Sequence, residues 1–435
     1  MLASPLFAQA EGEWTLKDCL TYALQNNIQI QKSIVQEQMG EVSLKQYKAQ
    51  LLPTLNFSMN QSIGYRPFQE SINMVQNGQV TSTNKRLTEQ GSYGISASWM
   101  VWNGNINRMN IKNQQIQNEI TELNTQRNEL SMQEQIANLY ISILYTTEAD
   151  KVAEKLKETA QKHWERGVAL YENGQIAKAD VVALEAQYNN AKYDVVNSQT
   201  QIDNYKRQMK SLLELDLNTT FDITGKEPTD EMVMTAIPSA ASVFNAALAS
   251  RPEIKSAELS MKAADMQERI AKAGYLPTLS LNASIGDSHY SGSNDNIGEQ
   301  MKSNLNGSMG ITVSVPILDQ RRNKSAVEQA RLQKTSTQLD LMDQKNNLSS
   351  TIEEYWLNAV SNQQRYIAAK STLQSQQTSY DQLNEQFKEG LKNIVELLQG
   401  RDNLLNAERN MLQSKYNTLL YLQLLKFYNG EEINM

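Results

Sequence analysis

The sequence holds one cysteine, two histidines and only 7% aromatic residues in 435 positions. A lone Cys19 excludes an internal disulfide. Preceded by Lys17-Asp18, it is not in a lipid-attachment context and reads as a small hydrophobe of the first helix. His163 and His289 fall on a long helix and in a predicted loop, with no Cys or His at ligand spacing. That pattern excludes a zinc site or a nucleophilic triad, so neither metal nor cofactor is expected. No Gly-rich loop ends in Lys-Ser/Thr, which excludes Walker-type nucleotide hydrolysis. Glu353 and Glu354 are adjacent on a helix, point different ways and read as solvated rather than as an acid–base pair. No catalytic residue is expected, and the chain is not read as an enzyme.

A long apolar run and a basic excess are missing too. Runs such as "WMVW" at 99–102 fall far below the ~18 residues of a membrane-spanning helix, so a bilayer could be crossed only by strands. A net charge of -7 and a pI near 5.3 argue against nucleic acid as partner. The chain is 40% hydrophobic with a mean hydropathy of -0.55, lean for a compact globule. Its polar excess is Gln, Asn and Ser, which suits long amphipathic elements with wide solvated faces. The seventeen methionines are scattered and read as core filler.

What is present, first, is a duplication. "KAQLLPTLNFSMN" (48–60) returns 224 residues later as "KAGYLPTLSLNAS" (272–284), and "YGISASWMVW" (93–102) returns 216 residues later as "MGITVSVPIL" (309–318). The second match runs ungapped from Gly94 to Gly174 and from Gly310 to Gly390. The length difference must fall in the polar segments 61–92 and 285–308, where loops are expected.

Each repeat therefore orders helix, Pro junction, strand, loop, strand, very long helix, Gly turn and helix. The first repeat covers 11–238: a helix at about 18–50, strands 54–66 and 92–102, a long helix 104–172, a turn 173–176, a helix 177–213 and a segment 215–238. The second covers 239–435: helix 242–274, strands 278–288 and 305–318, long helix 320–388, turn 389–391, helix 392–428 and a short tail. Ahead of them, "MLASPLFAQA" ends in the small-x-small pattern of a cleavage site. Without a basic n-region, residues 1–10 read as a signal-peptide remnant.

At each junction the apolar period changes from helical to two. Leu55, Phe57 and Met59 alternate with Asn56, Ser58 and Asn60, and the other three segments do likewise. Pro53 and Pro277 lack a donor N–H and push their predecessors out of the α region, so they switch helix to strand. Four tilted strands of this length can cross a bilayer, but an open sheet cannot stand in lipid. Two copies would close eight strands around an interior that Ser, Gly, Asn and Thr are too small to fill, whereas three copies close twelve around a lumen. A soluble sandwich with one wet face is the alternative for any single strand. Phe57, Tyr93, Trp99 and Trp102 are the expected membrane-boundary aromatics. Arg321, Arg322 and Lys324 follow the fourth strand, either against phospholipid head groups or as a solvated helix start. Near-heptad spacing of Ile116, Ile120, Leu123 and Leu130, then Ile136, Leu139 and Ile143, predicts paired helices.

The two Gly turns carry a further signature. In "LYENGQIAKADVVALEAQYNNA" (170–191) and "QFKEGLKNIVELLQGRDNLLNA" (386–407), an aromatic precedes Gly by three residues and an acid follows it by six. With the duplicated "LPTL" junctions, these turns make the chain resemble the TolC family of outer-membrane efflux proteins over nearly its whole length. The resemblance implies a fold that is mainly α with a transmembrane β-barrel. It implies a homotrimer in which a twelve-stranded β-barrel in outer-membrane lipid continues as a twelve-helix α-barrel through the periplasm of a Gram-negative cell. Segments 215–238 and 430–435 would form an equatorial belt. Tyr171, Gly174, Phe387 and Gly390 would form the tip turns facing a periplasmic adaptor protein, with an inner-membrane transporter as second partner. Asp180, Phe387, Lys392 and Glu396 become the candidate gate; Gln399 stands where members of the family often carry a second acid.

The expected function is then an outer-membrane exit duct for small molecules or polypeptides. A stand-alone porin or a coiled-coil scaffold is the alternative. For Asp180 and Glu396, a ring of carboxylates in a narrow neck and an ordinary helix N-terminal acid remain equally open.

Overall fold

The computed structural model describes residues 13–65, 67–68, 72–76, 79–83, 87–216, 218–225, 228–291 and 296–433; the expected signal-peptide remnant 1–10 lies outside them. The first repeat contains β1 (Glu13–Trp14), α1 (Leu16–Asn26), α2 (Ile28–Ala49), β2 (Thr54–Tyr65), β3 (Ile72–Gln76), β4 (Gln79–Thr83), β5 (Leu87–Trp102), α3 (Ile106–Glu172), α4 (Lys178–Leu212), β6 (Asp222–Ile223) and α5 (Asp230–Val233). The second contains α6 (Ala240–Ser250), α7 (Pro252–Ala273), β7 (Thr278–Tyr290), α8 (Ile297–Ser303), β8 (Asn306–Ser314), α9 (Arg322–Lys388) and α10 (Ile394–Tyr428). Both ends of α6 and α7 are those of α1 and α2 displaced by 224 residues, and both ends of α9 and α10 are those of α3 and α4 displaced by 216.

The compact units cut across the repeats. One comprises Met1–Gln36, Thr121–Glu258 and Asp340–Met435; the other comprises Glu37–Ile120 and Leu259–Leu339. The second unit takes strands from both repeats because they hydrogen-bond into one antiparallel sheet of order β2-β5-β7-β8. Its register sets apolar against apolar, as in Phe57↔Ile95↔Ile285, and polar against polar, as in Asn56↔Ser96↔Ser284↔Ser308. Within this sheet β2 and β8 each have a free edge.

Four differences from the sequence reading concern these strands. First, β5 starts at Leu87 rather than 92 and β7 runs to Tyr290 rather than 288, so polar stretches expected to be loops are paired strand. Polar cross-strand contacts replace apolar ones there: Gln61 Nε2 donates to Glu89 at 2.6 Å and the Tyr93 hydroxyl to Gln61 at 2.8 Å. Beyond β8, side-chain amides take over the ladder. Asn304 donates to the Ser288 carbonyl at 2.7 Å, and Gln300 accepts from Tyr290 N–H at 2.9 Å while donating to its carbonyl at 3.2 Å. His289, expected in a loop, is therefore buried on a strand and stacked on Tyr93.

Second, the segment 61–92 holds an extra hairpin, β3–β4. Third, β8 stops at Ser314 rather than 318, ahead of Pro316, which cannot donate to a ladder. Fourth, a bulge between Met100 and Trp102 leaves Val101 unpaired. Trp99 and Trp102 have opposite parity in sequence, yet the bulge sets Trp99 opposite Leu281 and Trp102 opposite Leu279, on the same apolar face.

Pro53 and Pro277 follow helix ends tightened by i→i−3 bonds, Leu52 N–H to Ala49 O at 2.9 Å and Leu276 N–H to Ala273 O at 3.0 Å. Each long helix is entered through two left-handed residues, Gly104-Asn105 and Gln320-Arg321, so α3 and α9 begin two residues later than predicted. Arg321 spends its charge on Glu328 at 3.8 Å.

In the first unit, the helices predicted as 18–50 and 242–274 are each broken at one extended residue, Asn27 (φ -64°, ψ 128°) and Arg251 (φ -68°, ψ 129°). Pro252 enforces the second break. At the first, Asn27 Oδ1 caps the restarted helix, accepting from Gln29 N–H at 2.8 Å. The two residues are repeat-equivalent, and so are their targets. Asn27 Nδ2 donates to the carbonyl of Leu212, the last residue of α4, at 2.9 Å; Arg251 lies 3.9 Å from the ring centre of Tyr428, the last residue of α10. Around these breaks sits the main core, with Cys19, Ile136, Ile143, Met209, Val243, Ile352 and Leu425. Burial pushes the Cys19 thiol up to about 12.

Segment 215–238 is tied to this core. Tyr140 donates its hydroxyl to the Thr224 carbonyl, Lys206 pairs with Asp222 at 2.9 Å, and Gln363 donates to the Val233 carbonyl at 2.8 Å. Asp230 receives Lys370 and Tyr366, which hold its carboxyl below the usual range.

Candidate functional site: the two hairpin tips

The turns lie within the first unit. At the end of α3, Gly174 N–H donates to Tyr171 O and Gln175 N–H to Leu170 O, both at 2.8 Å; at the end of α9, Gly390 N–H donates to Phe387 O at 3.0 Å and Leu391 N–H to Gln386 O at 2.9 Å. These are Schellman closures, which place the glycines at φ +70° and +76°. A tight reversal suggests that a Cβ there would clash. The structure corrects this: a Cβ at either glycine would meet nothing within 4 Å. Glycine is required by the left-handed backbone alone.

The acids sit at the third position of each return helix. Glu396 closes a full capping box: Asn393 Oδ1 accepts from Glu396 N–H at 3.0 Å, and Glu396 Oε2 accepts from Asn393 N–H at 3.3 Å. Its other oxygen takes Lys392 Nζ at 2.6 Å. Lys392 first, and the Asn393 N–H second, hold the Glu396 carboxyl below its usual range. Asp180 accepts from Ala177 N–H at 3.3 Å. Alanine cannot return the bond, and the repeat-equivalent of Lys392 is Ile176, so the first acid has no comparable cation.

Tyr171 is exposed, whereas Phe387 is half-buried and meets His163 edge-on at 6.3 Å. Phe387 packs with Leu184, Tyr380, Ile394 and Leu397 in a cluster drawn from both hairpins. Arg166 donates across to the Lys388 carbonyl at 3.1 Å, and Arg409 pairs with Asp194 at 3.3 Å.

Sequence reasoning missed two features here. One is a reciprocal contact: a Cβ on Gly167 would lie 2.4 Å from Leu184 Cδ1, and one on Gly400 2.5 Å from Leu383 Cδ1. Gly167 is repeat-equivalent to Leu383, and Leu184 to Gly400. The long helix supplies the hole in one hairpin and the knob in the other, a swap that aligning the repeats can reveal. The other is His163, whose imidazole is held below its ordinary range by burial and then by Arg166, Arg401 and Lys388. A depressed histidine stays neutral in the fold and charges in the unfolded chain, so its contribution is intact above the unfolded value near 6.5 and declines as pH falls toward the folded value. Protection of the tip-helix amides, taken as exchange relative to the intrinsic amide rate at each pH, should fall between pH 7.5 and 5.5. His163→Gln, which keeps a polar group of similar reach but cannot take up the proton, should flatten that dependence.

The remaining expected residues lie in the second unit. Phe57, Trp99 and Trp102 are exposed; Trp99 donates its indole N–H to the Leu51 carbonyl at 2.9 Å. Among the described residues no group of three or more His, Cys, Asp or Glu could hold a metal ion, and no helix is long and apolar enough to cross a membrane.

The chain matches the family model for outer membrane efflux protein over residues 20–213 and 243–431. It is 25% identical over 303 residues to the outer membrane protein TolC of Salmonella enteritidis, covering 68% of this chain and 60% of that protein. It is 23% identical over 298 residues to the alkaline protease secretion protein AprF of Pseudomonas aeruginosa, covering 68% of this chain and 60% of that one. The matched stretch thus spans about 60% of the length of these relatives. Among solved structures, CusC superposes with a TM-score of 0.78 at 16% identity, over 96% of this chain and 92% of its own, a likeness of fold.

Proposed function

Because the chain belongs to the outer membrane efflux protein family, we propose that it is an outer-membrane exit duct, exporting small molecules or polypeptides with a periplasmic adaptor and an inner-membrane transporter. The observation that carries this reading is the four-stranded sheet with two free edges and one apolar face on which Leu55, Phe57, Met309 and Ile311 are each about 70% exposed. Such a sheet needs lipid on that face and more strands at its edges. Three copies supply twelve strands, and their helices a twelve-helix tunnel reaching into the periplasm of a Gram-negative cell. Phe57, Tyr93, Trp99 and Trp102 then mark the membrane boundaries, and the described parts of segments 215–238 and 430–435, which exclude 217, 226–227 and 434–435, girdle the tunnel. A coiled-coil scaffold would have no use for the sheet, nor a stand-alone porin for the hairpins.

Tyr171, Gly174, Phe387 and Gly390 form the adaptor-facing turns. Asp180, Glu396 and Lys392 form the constriction, with Phe387 holding the turn from inside the hairpin core. Three symmetry-related acids around a narrow axis favour cations. In single-channel recordings of the detergent-purified trimer, Glu396→Gln should lower cation preference, and Lys392→Gln should raise the closed-state conductance. Unchanged selectivity and conductance in both variants would remove these residues from the constriction, and a monodisperse monomer without detergent would remove the duct.

A further inference from the structure

We infer that the barrel does not sort cargo by charge: over the described strands its inner wall is a neutral surface dominated by hydroxyl and amide groups. The inference rests on the exit-duct reading and asks what the lumen presents to a passing molecule. The register answers it. One row across the sheet is Asn56, Ser96, Ser284 and Ser308. The next row toward the Pro junctions is Thr54, Ser98, Asn282 and Gly310, and the next away from them is Ser58, Gly94, Gly286 and Asn306. Ser98 donates to Asn282 at 3.0 Å, and the hydroxyls of Ser284 and Ser308 lie 2.9 Å apart, so part of the wall's polarity is fixed within the wall.

The described strands of this sheet do carry charge, but on the other face. Glu89, Asp287 and the titratable His289 have the parity of Tyr93, opposite to the serine rows, and cluster toward the sheet end remote from the Pro junctions. At physiological ionic strength the Debye length is about 8 Å, so charges beyond the ends of the strands are largely screened at the Ser96 row. A cation and an anion of equal size therefore meet the same wall.

The test reads the wall directly. Ser96→Cys in the full-length trimer is treated with cationic and anionic methanethiosulfonate reagents of matched size, each forming a mixed disulfide and releasing methanesulfinate. The native Cys19 is fully buried with its thiol pushed up to about 12, which keeps the background silent. Ile95→Cys, on the apolar face, is treated in parallel. The expected result is that Ser96→Cys reacts with both reagents at a rate ratio within about threefold of that of a free thiol. Adding Ser284→Asp, a genuine ring of charge beside it, should move the ratio about tenfold toward the cationic reagent. A ratio already tenfold from the free thiol without that ring overturns the neutral wall and leaves the duct standing, provided Ile95→Cys is protected. If Ser96→Cys is protected and Ile95→Cys reacts, the sheet faces the other way, and the duct reading falls together with the inference.

Discussion

Gly400→Leu is expected to loosen the second hairpin by about 1–3 kcal/mol, the range for forcing extra methylenes into packed space. A Cβ at this position would lie 2.5 Å from Leu383 Cδ1, with Tyr380 3.8 Å away behind it. Alanine should cost less, because the end of Leu383 can turn; a leucine leaves it nowhere to turn. Leu383→Gly alone should also cost stability, since it removes a half-buried leucine side chain from the contact and puts glycine in a helix interior, which by itself costs about 1 kcal/mol. The decisive variant combines the two. Gly400→Leu with Leu383→Gly rebuilds the geometry that Gly167 and Leu184 already adopt in the first hairpin, so it should recover most of the stability lost by either single change. Hydrogen exchange of α9 and α10 near the tip measures all three, and additive losses in the double variant would show that the swap is not a shared packing rule.

The second large effect is expected at Arg251. Its guanidinium pairs with Glu253 at 2.8 Å and with Glu134 at 3.6 Å, and covers the ring of Tyr428. Burial raises the Glu134 carboxyl above its usual range, against the opposing pull of Tyr428 and Arg251. Arg251→Met strips the buried cation from two half-buried acids and should destabilise the first unit by about 3 kcal/mol at neutral pH. A carboxyl whose folded pKa exceeds its unfolded value contributes stability that is present below the unfolded value and lost as pH rises through the folded one. Without Arg251 that folded value rises further, so the deficit of the variant should shrink as pH is lowered from 7 to 5. Adding Glu134→Gln should recover part of it at pH 7. Thermal unfolding of the detergent-solubilised protein at both pH values is the measurement; a deficit independent of pH would assign the loss to packing on Tyr428.

Much of this architecture is legible in the amino-acid order because its determinants are local. Period-two alternation reveals the facing of every central strand, proline and the small residues around it mark the junctions, and glycine at φ > 0 marks the turns. What escapes depends on partners far away in the chain. Asn27 breaks a helix that no proline interrupts, since its side chain caps the restart and reaches Leu212. The bulge at Val101 requires knowing which strand lies beside β5. The outer ends of β5 and β7 look like loop because polar residues carry their alternation, and only the pairing reveals strand. At the candidate constriction the aromatic, the glycine and the acid are legible as a spacing. That Phe387 turns inward against His163, and that Glu396 is tied to Lys392 and Asn393, are matters of packing and capping which the spacing does not contain.

The pairing of β5 with β7 also sets an order in time. Ser98 and Asn282 touch although they lie 184 positions apart in the chain, a stretch that includes the whole first hairpin. Closing so long a loop adds little to the equilibrium cost, which grows only logarithmically with length, but contacts of this range form late. During biosynthesis β2 and β5 are complete long before β7 exists. Until then the half-sheet presents Phe57, Ile95 and Trp99 to water with a bare edge beside them. The nascent first repeat is thus the species most exposed to aggregation, and the moment of greatest hazard comes before the second half of the chain has been made.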